Sequence, residues 1–270
     1  MDNVPFVKMS GAGNDFVVID NRALHHALAP DQIARLCDRH FGIGADGLLA
    51  VEPADRPDAD FRMRYYNADG GEAEMCGNGA RCFARFVHPL RRASAERVSF
   101  TTPAGLITGE YVGDEVRIGL TAPTETKLHQ RADFGWGEIE YHFMNTGVPH
   151  AVVHVPDADK AEVVAHGRAI RRSAIFPRGT NVNFVQVTDS GKLIVRTYER
   201  GVEDETLACG TGVVASALLT HLVQKLALPL YVKVRGGDVL TIDARADGGS
   251  FANVTLTGPA TEVFSGEVRL

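Results

Sequence analysis

The feature that most constrains this chain is a short phrase that occurs twice, about half a chain length apart. Residues 72–79 read Glu-Ala-Glu-Met-Cys-Gly-Asn-Gly, and residues 205–212 read Glu-Thr-Leu-Ala-Cys-Gly-Thr-Gly. Three further landmarks recur at nearly the same spacing: Gly13 with Gly147, Phe41 with Phe176, and Tyr65 with Tyr198. The period is far too long for a solenoid repeat. The repeat therefore predicts two homologous domains in tandem.

Composition limits the class of protein. The chain has 270 residues, of which 44% are hydrophobic, so it can form one large or two medium domains with buried cores. The formal net charge of −6 argues against binding to nucleic acid or to an acidic membrane, since such proteins carry basic patches. No apolar run reaches the ~18 residues of a membrane span, and the N-terminus does not read as a signal peptide. Four cysteines are too few for a disulfide framework in such a chain, so we expect a cytoplasmic protein.

Local patterns predict the secondary structure. Runs rich in β-branched and aromatic residues predict strands at 16–20, 61–66, 98–102, 116–120, 151–155, 184–188, 193–198, 231–235 and 254–257. Helices are predicted at 31–40, 77–87 and 210–225, and the last is apolar enough to be a buried central helix.

These elements favour an α/β (α+β) fold with two pseudo-symmetric domains from an internal duplication, each a β-sheet wrapped around a central helix. We expect an N-terminal domain over 1–120 that carries Cys76, and a C-terminal domain over 121–258 that carries Cys209. Residues 259–270 are expected to return to the first domain.

Each of the two repeated cysteines stands immediately before a predicted helix. The first turn of a helix offers unpaired backbone N–H groups and a partial positive charge, which lower the pKa of a thiol. The same amides, from Gly77, Asn78, Gly210 and Thr211, can hold a substrate carboxylate. One thiolate would then remove an α-proton while the other thiol delivers a proton to the opposite face. The pattern predicts a racemase or epimerase that needs no cofactor.

Other readings of the cysteines fit less well. A single Cys-Gly is most often a small buried residue before a helix. Cys37 and Cys82 lie within predicted helices and lack the glycine context, so we expect both to be core residues. No Cys-x2-Cys pair is present, so no metal site is predicted. A cysteine peptidase with His150 as its base would leave the second cysteine without a role. No lysine stands in the Gly/Ser-rich context typical of a pyridoxal phosphate Schiff base.

Longer motifs extend through both halves. They are Lys8-Met-Ser-Gly-Ala-Gly-Asn-Asp-Phe16, Phe41-Gly-Ile-Gly-Ala-Asp-Gly47, Tyr66-Asn-Ala-Asp-Gly70, Met75-Cys-Gly-Asn-Gly-Ala-Arg81, Pro149-His150, Thr180-Asn-Val182, Tyr198-Glu-Arg-Gly201 and Ala208-Cys-Gly-Thr-Gly212. By these motifs nearly the whole chain resembles the diaminopimelate epimerases. The cysteine phrases alone are also similar to those of proline and hydroxyproline racemases.

The resemblance implies cofactor-free interconversion of L,L- and meso-diaminopimelate, with Cys76 and Cys209 as the acid/base pair. It also implies that the substrate, mainly its distal end, is bound by Asn14, Asn67, Asn181, Glu199 and Arg200. A guanidinium suits a carboxylate, and a Glu carboxylate suits an ammonium. His150 would orient a thiol or the substrate, or be structural. A homodimer is expected, with Phe264 in an aromatic contact.

Two positions depart from the resemblance, and both affect which substrate is bound. Many members have Gln where this chain has Gly47, and Asn where it has Val148. Racemisation or epimerisation of another amino acid, of the histidine, proline or hydroxyproline type, therefore stays open. A two-lobed amino-acid-binding protein without catalysis is a further alternative.

Overall fold

The computed structural model describes residues 3–91 and 96–269. The chain divides into two compact units. One contains the residues up to Gly119 together with those from Thr257 onward, and the other is Leu120–Leu256. No helix in the described part of the chain is long and apolar enough to cross a membrane.

Eighteen strands and four α-helices are present among the described residues. In the first part of the chain these are β1 (Asn3–Gly11), β2 (Asn14–Asp20), α1 (Pro30–Cys37), β3 (Gly47–Pro53), β4 (Phe61–Asn67), β5 (Glu72–Ala73), α2 (Gly77–Val87), β6 (Arg97–Thr102), β7 (Gly105–Val112) and β8 (Glu115–Gly119). They continue with β9 (Thr124–Asp133), β10 (Glu138–Asn145), β11 (Pro149–His154), α3 (Val163–Arg172), β12 (Asn181–Val187), β13 (Leu193–Glu199), β14 (Asp204–Thr206), α4 (Gly210–Gln224), β15 (Leu230–Val234), β16 (Val239–Asp247), β17 (Ser250–Pro259) and β18 (Thr261–Arg269).

Strand pairing in the first unit includes both antiparallel and parallel contacts. Strands β1 and β2 form an antiparallel hairpin, and its two-residue turn, Ala12-Gly13, has positive φ at both positions, as such turns require. β2 pairs parallel with β3, β3 antiparallel with β4, β4 antiparallel with β5, and β4 parallel with β6. β7 and β8 follow as an antiparallel meander, and β18 lies antiparallel to β1.

The second unit repeats this topology strand for strand. β10 and β11 are antiparallel, β11 and β12 parallel, β12 and β13 antiparallel, β13 and β14 antiparallel, β13 and β15 parallel, and β15 and β16 antiparallel. Strand β9 lies against β10 as β18 lies against β1. The repeated order confirms the predicted duplication in a mixed α/β (α+β) fold.

Each unit wraps its strands around one helix, as the sequence predicts. α2 packs on β1, β2, β3, β7 and β8, and α4 packs on β10–β13, β15 and β16. Nine consecutive residues of α4, 212–220, are buried. A helix that is apolar on all sides is stable only when other elements surround it, which explains its central position.

The strand registers align the two repeats residue by residue. Phe16 pairs with Gly47, and at the corresponding place His150 pairs with Asn181. On the next strands Leu48 pairs with Tyr66 and Val182 pairs with Tyr198. Tyr66 is therefore the counterpart of Tyr198, and the predicted equivalence with Tyr65 is wrong by one residue, because the spacing between repeats differs slightly between motifs.

The predicted helix 31–40 ends earlier, at Cys37, for a local reason. The carboxylate of Asp38 accepts the backbone N–H groups of His40 and Phe41, each at 2.7 Å, and Asp38 itself is extended with ψ 127°. An Asp side chain that bonds the following amides stops helix propagation. Helix α3 and several strands were not predicted. Among these strands, β9 and β18 are exposed and polar, so their sequences lack the alternation on which strand prediction depends.

Candidate active site

Cys76 is the N-cap residue of α2. Its backbone is extended (φ −133°, ψ 123°), and its Sγ accepts the N–H of Gly79 at 3.5 Å. The side chain is half-buried. The positive end of the helix thus lies at this sulfur.

A polar chain fixes Asn78, the second residue of α2. Its amide nitrogen donates to Oδ1 of Asn14, whose own amide nitrogen donates to Oδ2 of Asp46 at 2.9 Å. Asp46 in turn accepts a hydrogen bond from Arg39 at 2.8 Å. Two predicted substrate-binding residues, Asn14 and Asn78, therefore lie together at the start of this helix. Asn67 ends β4 and is exposed.

Cys209 is the N-cap residue of α4 and has the same extended backbone (φ −123°, ψ 106°). It is more buried than Cys76, with 6% of its surface exposed. The hydroxyl oxygen of Thr211 lies 3.6 Å from its Sγ. Thr146 donates its hydroxyl to the carbonyl oxygen of Thr211 at 2.9 Å, which holds the first turn of the helix in place.

Equivalent ion pairs anchor the strand that leads to each cysteine. Arg64 binds Glu72 in the first unit with a shortest distance of 2.7 Å, and Arg196 binds Glu205 in the second at 2.6 Å. Both pairs are bidentate, which fixes orientation as well as distance. Each glutamate precedes its cysteine by four residues, so the pairs hold both cysteine turns in the same way.

His150 is fully buried beside Thr211. Its Nε2 lies 2.9 Å from the Thr211 hydroxyl and its Nδ1 lies 3.2 Å from the amide nitrogen of Asn183. Burial, together with the positive charge of Arg200, lowers the pKa of His150 to about 3, so the ring is neutral at pH 7. A peptidase needs an imidazolium paired with its thiolate, and this site disfavours that charged ring.

The remaining predicted binding residues lie at the adjoining ends of β12 and β13. Asn181 accepts the backbone N–H of Arg200 at 2.8 Å through Oδ1. Glu199 accepts the hydroxyl of Thr206 at 2.9 Å. The guanidinium of Arg200 donates to the carbonyl oxygen of Arg178 at 3.1 Å. This end of the second unit thus carries one fixed amide, one carboxylate and one guanidinium.

The other two cysteines are buried, as predicted. Cys37 lies on α1 and Cys82 inside α2, with 3% and 0% of their surfaces exposed. Burial raises the pKa of Cys37 to about 11 and that of Cys82 to about 12, so both are thiols at neutral pH. Neither is suited to acid/base work.

Sequence reasoning missed the residues that support the second helix start, above all Asn183 and Thr197. The sequence did contain a signal that could have identified Asn183. Asn183 is two positions after Asn181 on the same strand, so the two side chains share one face of β12. Thr197 is paired directly with Asn183 on β13, and only the strand register reveals that contact.

One side-chain cluster among the described residues has ligand atoms close enough for a metal ion. The atoms of His129, Glu140 and His142 lie within 4.8 Å of one another. However, the backbone N–H of His129 donates to Nδ1 of His142 at 3.0 Å. The proton of the neutral ring is therefore on Nε2, the nitrogen that faces Glu140, and that nitrogen has no lone pair for a metal. The cluster lies on β9 and β10 and contains none of the predicted site residues.

Solved structures of other proteins share this fold. A probable proline racemase from Agrobacterium radiobacter superposes with a TM-score of 0.74 at 17% identity, covering 99% of this chain and 93% of that chain. A PhzF-family phenazine biosynthesis protein from Bacillus anthracis gives a TM-score of 0.74 at 16% identity, with 100% of both chains covered. At such identities the likeness shows the fold alone.

Sequence relatives are much closer. The family model described as diaminopimelate epimerase matches residues 6–124 and 142–263. The diaminopimelate epimerase of Aromatoleum aromaticum is 44% identical over 276 residues, covering 97% of this chain and 98% of the relative. That of Aquifex aeolicus is also 44% identical, covering 97% of each chain. With both halves matched by the family model and relatives aligned end to end, the chain belongs to the diaminopimelate epimerase family, whose members are isomerases.

Proposed function

We propose that this protein interconverts L,L- and meso-diaminopimelate, with Cys76 and Cys209 as the acid/base pair. The observation that carries the proposal is the equivalent placement of the two cysteines. Each caps the central helix of one repeat, at the same point of a duplicated topology. The names of the close relatives supply the substrate. We propose that the two compact units are the two predicted domains, each contributing one thiol.

In this mechanism one cysteine is a thiolate and the other a thiol. The thiolate removes the α-proton, and the thiol delivers a proton to the opposite face of the same carbon, which inverts the centre. The first-turn amides, from Gly77, Asn78, Gly210 and Thr211, bind the adjacent carboxylate and stabilise the charge that develops there. Thiols suit this reversible step because their pKa can be brought near neutrality, where both protonation states are populated.

The α-ammonium also needs an acceptor. Oδ1 of Asn78 is buried and has no hydrogen-bond partner among the described residues. A buried acceptor of this kind is costly unless a ligand or water donates to it. We propose that it accepts from the substrate, with Asn14 holding the amide in the required orientation.

The distal end of the substrate carries a second carboxylate and a second ammonium. We propose that Arg200 binds the carboxylate and Glu199 the ammonium, since these charges are complementary. Asn67 and Asn181 add polar contacts. His150 is proposed to act on the second thiol through Thr211 rather than on the substrate directly.

Gly47 has a packing role in this chain. A Cβ at this position would lie 2.4 Å from the carbonyl oxygen of Tyr66 and 2.7 Å from the ring of Tyr65. The backbone oxygen cannot move without disturbing the β3–β4 pairing. Val148 is different: it is half-buried in a turn closed by the N–H of Thr146 on its carbonyl oxygen at 3.2 Å.

We further propose a cytoplasmic homodimer. A reducing compartment is needed to keep both reactive cysteines as thiols. The dimer proposal rests on Phe264 of β18, which is 47% exposed and contacts the ring of Phe6 edge-on at 5.9 Å. Neighbouring Val263 is also exposed, and exposed apolar side chains in adjacent positions favour association.

Hydrogen exchange at the α-carbon tests the reaction. In deuterated water the protein is expected to incorporate deuterium into both isomers of diaminopimelate, as measured by mass spectrometry. Cys76→Ala and Cys209→Ala should each lower inversion by about 10²–10⁴-fold, since each removes one proton-transfer group. Cys37→Ala is the matched control and should retain activity. Normal inversion by Cys209→Ala, or exchange only with histidine or proline, would refute the proposal.

Mild oxidation tests whether the two sulfurs reach one carbon. Two thiols that act on the same carbon would be close enough to form a disulfide, so oxidation is expected to abolish activity and a reductant to restore it. Peptide mapping should recover a Cys76–Cys209 cross-link. The same loss is expected in Cys37→Ala. Irreversible inactivation, or a different cross-link, would count against the shared site.

Substitution of Gly47 tests the packing argument. Gly47→Gln restores the residue common in the family, yet it should destabilise this protein by about 1–3 kcal/mol, because the new Cβ collides with strand β4. Val148→Asn is the matched control and should leave stability nearly unchanged. Urea unfolding measures both. A Gly47→Gln protein as stable as the wild type contradicts the argument.

Light scattering tests the dimer. The wild type is expected at twice the chain mass, and Phe264→Asp should shift it toward the monomer, because a charge cannot be buried without a partner. Val239→Asp, at an exposed position on β16, serves as the control and should keep the wild-type mass. A monomeric wild type at micromolar concentration would exclude the proposal.

A further inference from the structure

A continuous chain of hydrogen bonds joins Thr197 to Cys209 in the second unit. The hydroxyl of Thr197 donates to Oδ1 of Asn183 at 2.9 Å. The amide nitrogen of Asn183 lies 3.2 Å from Nδ1 of His150, and Nε2 of His150 lies 2.9 Å from the hydroxyl of Thr211. That hydroxyl is 3.6 Å from the sulfur of Cys209.

A contact with the backbone determines which atoms donate and which accept in this series of hydrogen bonds. The amide nitrogen of Asn183 also donates to the carbonyl oxygen of Ala151 at 3.2 Å. A carbonyl oxygen only accepts, so the atom of Asn183 that faces it must be the nitrogen. An amide carries two protons, and the second one points to Nδ1 of His150. Nδ1 must therefore be the unprotonated nitrogen of the ring.

The tautomer of His150 follows from this contact. His150 is fully buried, and its neighbours Asn183 and Thr197 are fully or almost fully buried. Burial disfavours a charged imidazole, so the ring is neutral and carries a single proton. With Nδ1 accepting, that proton is on Nε2 and is donated to Thr211. The hydroxyl proton of Thr211 then cannot point at the ring, and the sulfur of Cys209 is the neighbouring acceptor.

We propose that Asn183 and Thr197 are positioning residues that hold His150 as its Nε2–H tautomer, so that the Thr211 hydroxyl donates to the Cys209 sulfur. Both residues act through His150 and touch no reacting atom. A hydrogen bond donated to sulfur stabilises the thiolate more than the thiol. The arrangement therefore supports Cys209 when it acts as the base. This inference rests on the proposed function only for its catalytic consequence, not for its geometry.

The equivalent positions of the first repeat do not form this series of hydrogen bonds, because other side chains occupy them. The strand registers place Phe16, Leu49 and Tyr65 where the second repeat has His150, Asn183 and Thr197. Phe16 and Leu49 lie against Gly79 as His150 and Asn183 lie against Gly212. The side chains behind the first helix start are thus apolar or aromatic. The two thiols share a backbone setting and differ in the groups behind it.

Nuclear magnetic resonance of the wild-type protein tests the tautomer directly. Long-range proton–nitrogen correlation distinguishes protonated from unprotonated ring nitrogens, and the signal of His150 among the ten histidines is assigned with a His150→Gln sample. We expect a proton on Nε2 at neutral pH. A proton on Nδ1, or a doubly protonated ring, overturns the proposal whatever the activity of the protein.

Alkylation of the thiols tests the consequence at Cys209. In Asn183→Leu, which installs the residue of the first repeat, iodoacetamide at pH 7 should label Cys209 about tenfold more slowly, because one charge-assisted hydrogen bond is lost. Cys76 is the internal control, and its labelling rate should not change. An equal rate at Cys209 in the variant and the wild type contradicts the proposal.

Variants at Thr197 cover the case in which Asn183→Leu does not fold. Thr197→Val removes the hydroxyl with little change in shape and should slow labelling of Cys209 in the same direction, whereas Thr197→Ser should restore it. For diaminopimelate inversion, kcat should fall while KM stays within about twofold. If His150 of Thr197→Val no longer carries its proton on Nε2 and Cys209 is still labelled at the wild-type rate, the proposal is contradicted. A protein that shows the tautomer and the labelling pattern but exchanges no diaminopimelate would instead refute the proposed function alone.

Discussion

The placement of a cysteine as the N-cap of a central helix is the interaction on which the proposed site depends. The first-turn amides of a helix have no partners within it, and their summed dipole is positive at that end. When the helix is surrounded by strands, as α2 and α4 are, water competes weakly for those amides. The site can then favour a thiolate and bind a carboxylate with backbone atoms alone. Few side chains are needed near the reacting carbon.

Duplication supplies this arrangement twice, and the two copies have since diverged in what supports them. Equivalent Arg–Glu pairs hold both cysteine turns, so the geometry of the backbone has been retained. Behind the helix starts, the first repeat has Asn14 and Asp46 on one side and apolar residues on the other. The second repeat has a buried polar chain through His150. A reaction that converts one stereoisomer into another does not require identical thiols, only two that can exchange roles.

Much of this could be predicted from the sequence. The repeated phrase predicted the duplication and the position of both cysteines at helix starts. The apolar run of 212–220 predicted a central helix, because no other arrangement buries it. Strands such as β3, which is buried on both faces, and β9, which is exposed, lack the alternation that prediction needs. Asn183 and Thr197 were missed because their contact exists only across paired strands, and sequence spacing carries no information on register.

The second glycine of the Cys-Gly-Thr-Gly phrase, Gly212, illustrates how such a motif constrains evolution. A Cβ there would lie 2.3 Å from Oδ1 of Asn183 and 3.3 Å from the ring of His150. The glycine leaves room for the neighbouring amide and imidazole, which are distant in sequence. Positions 183 and 212 therefore cannot change independently. A relative with a residue larger than glycine at position 212 must have a shorter side chain at position 183. In an alignment of relatives, this contact should appear as covariation between positions 183 and 212.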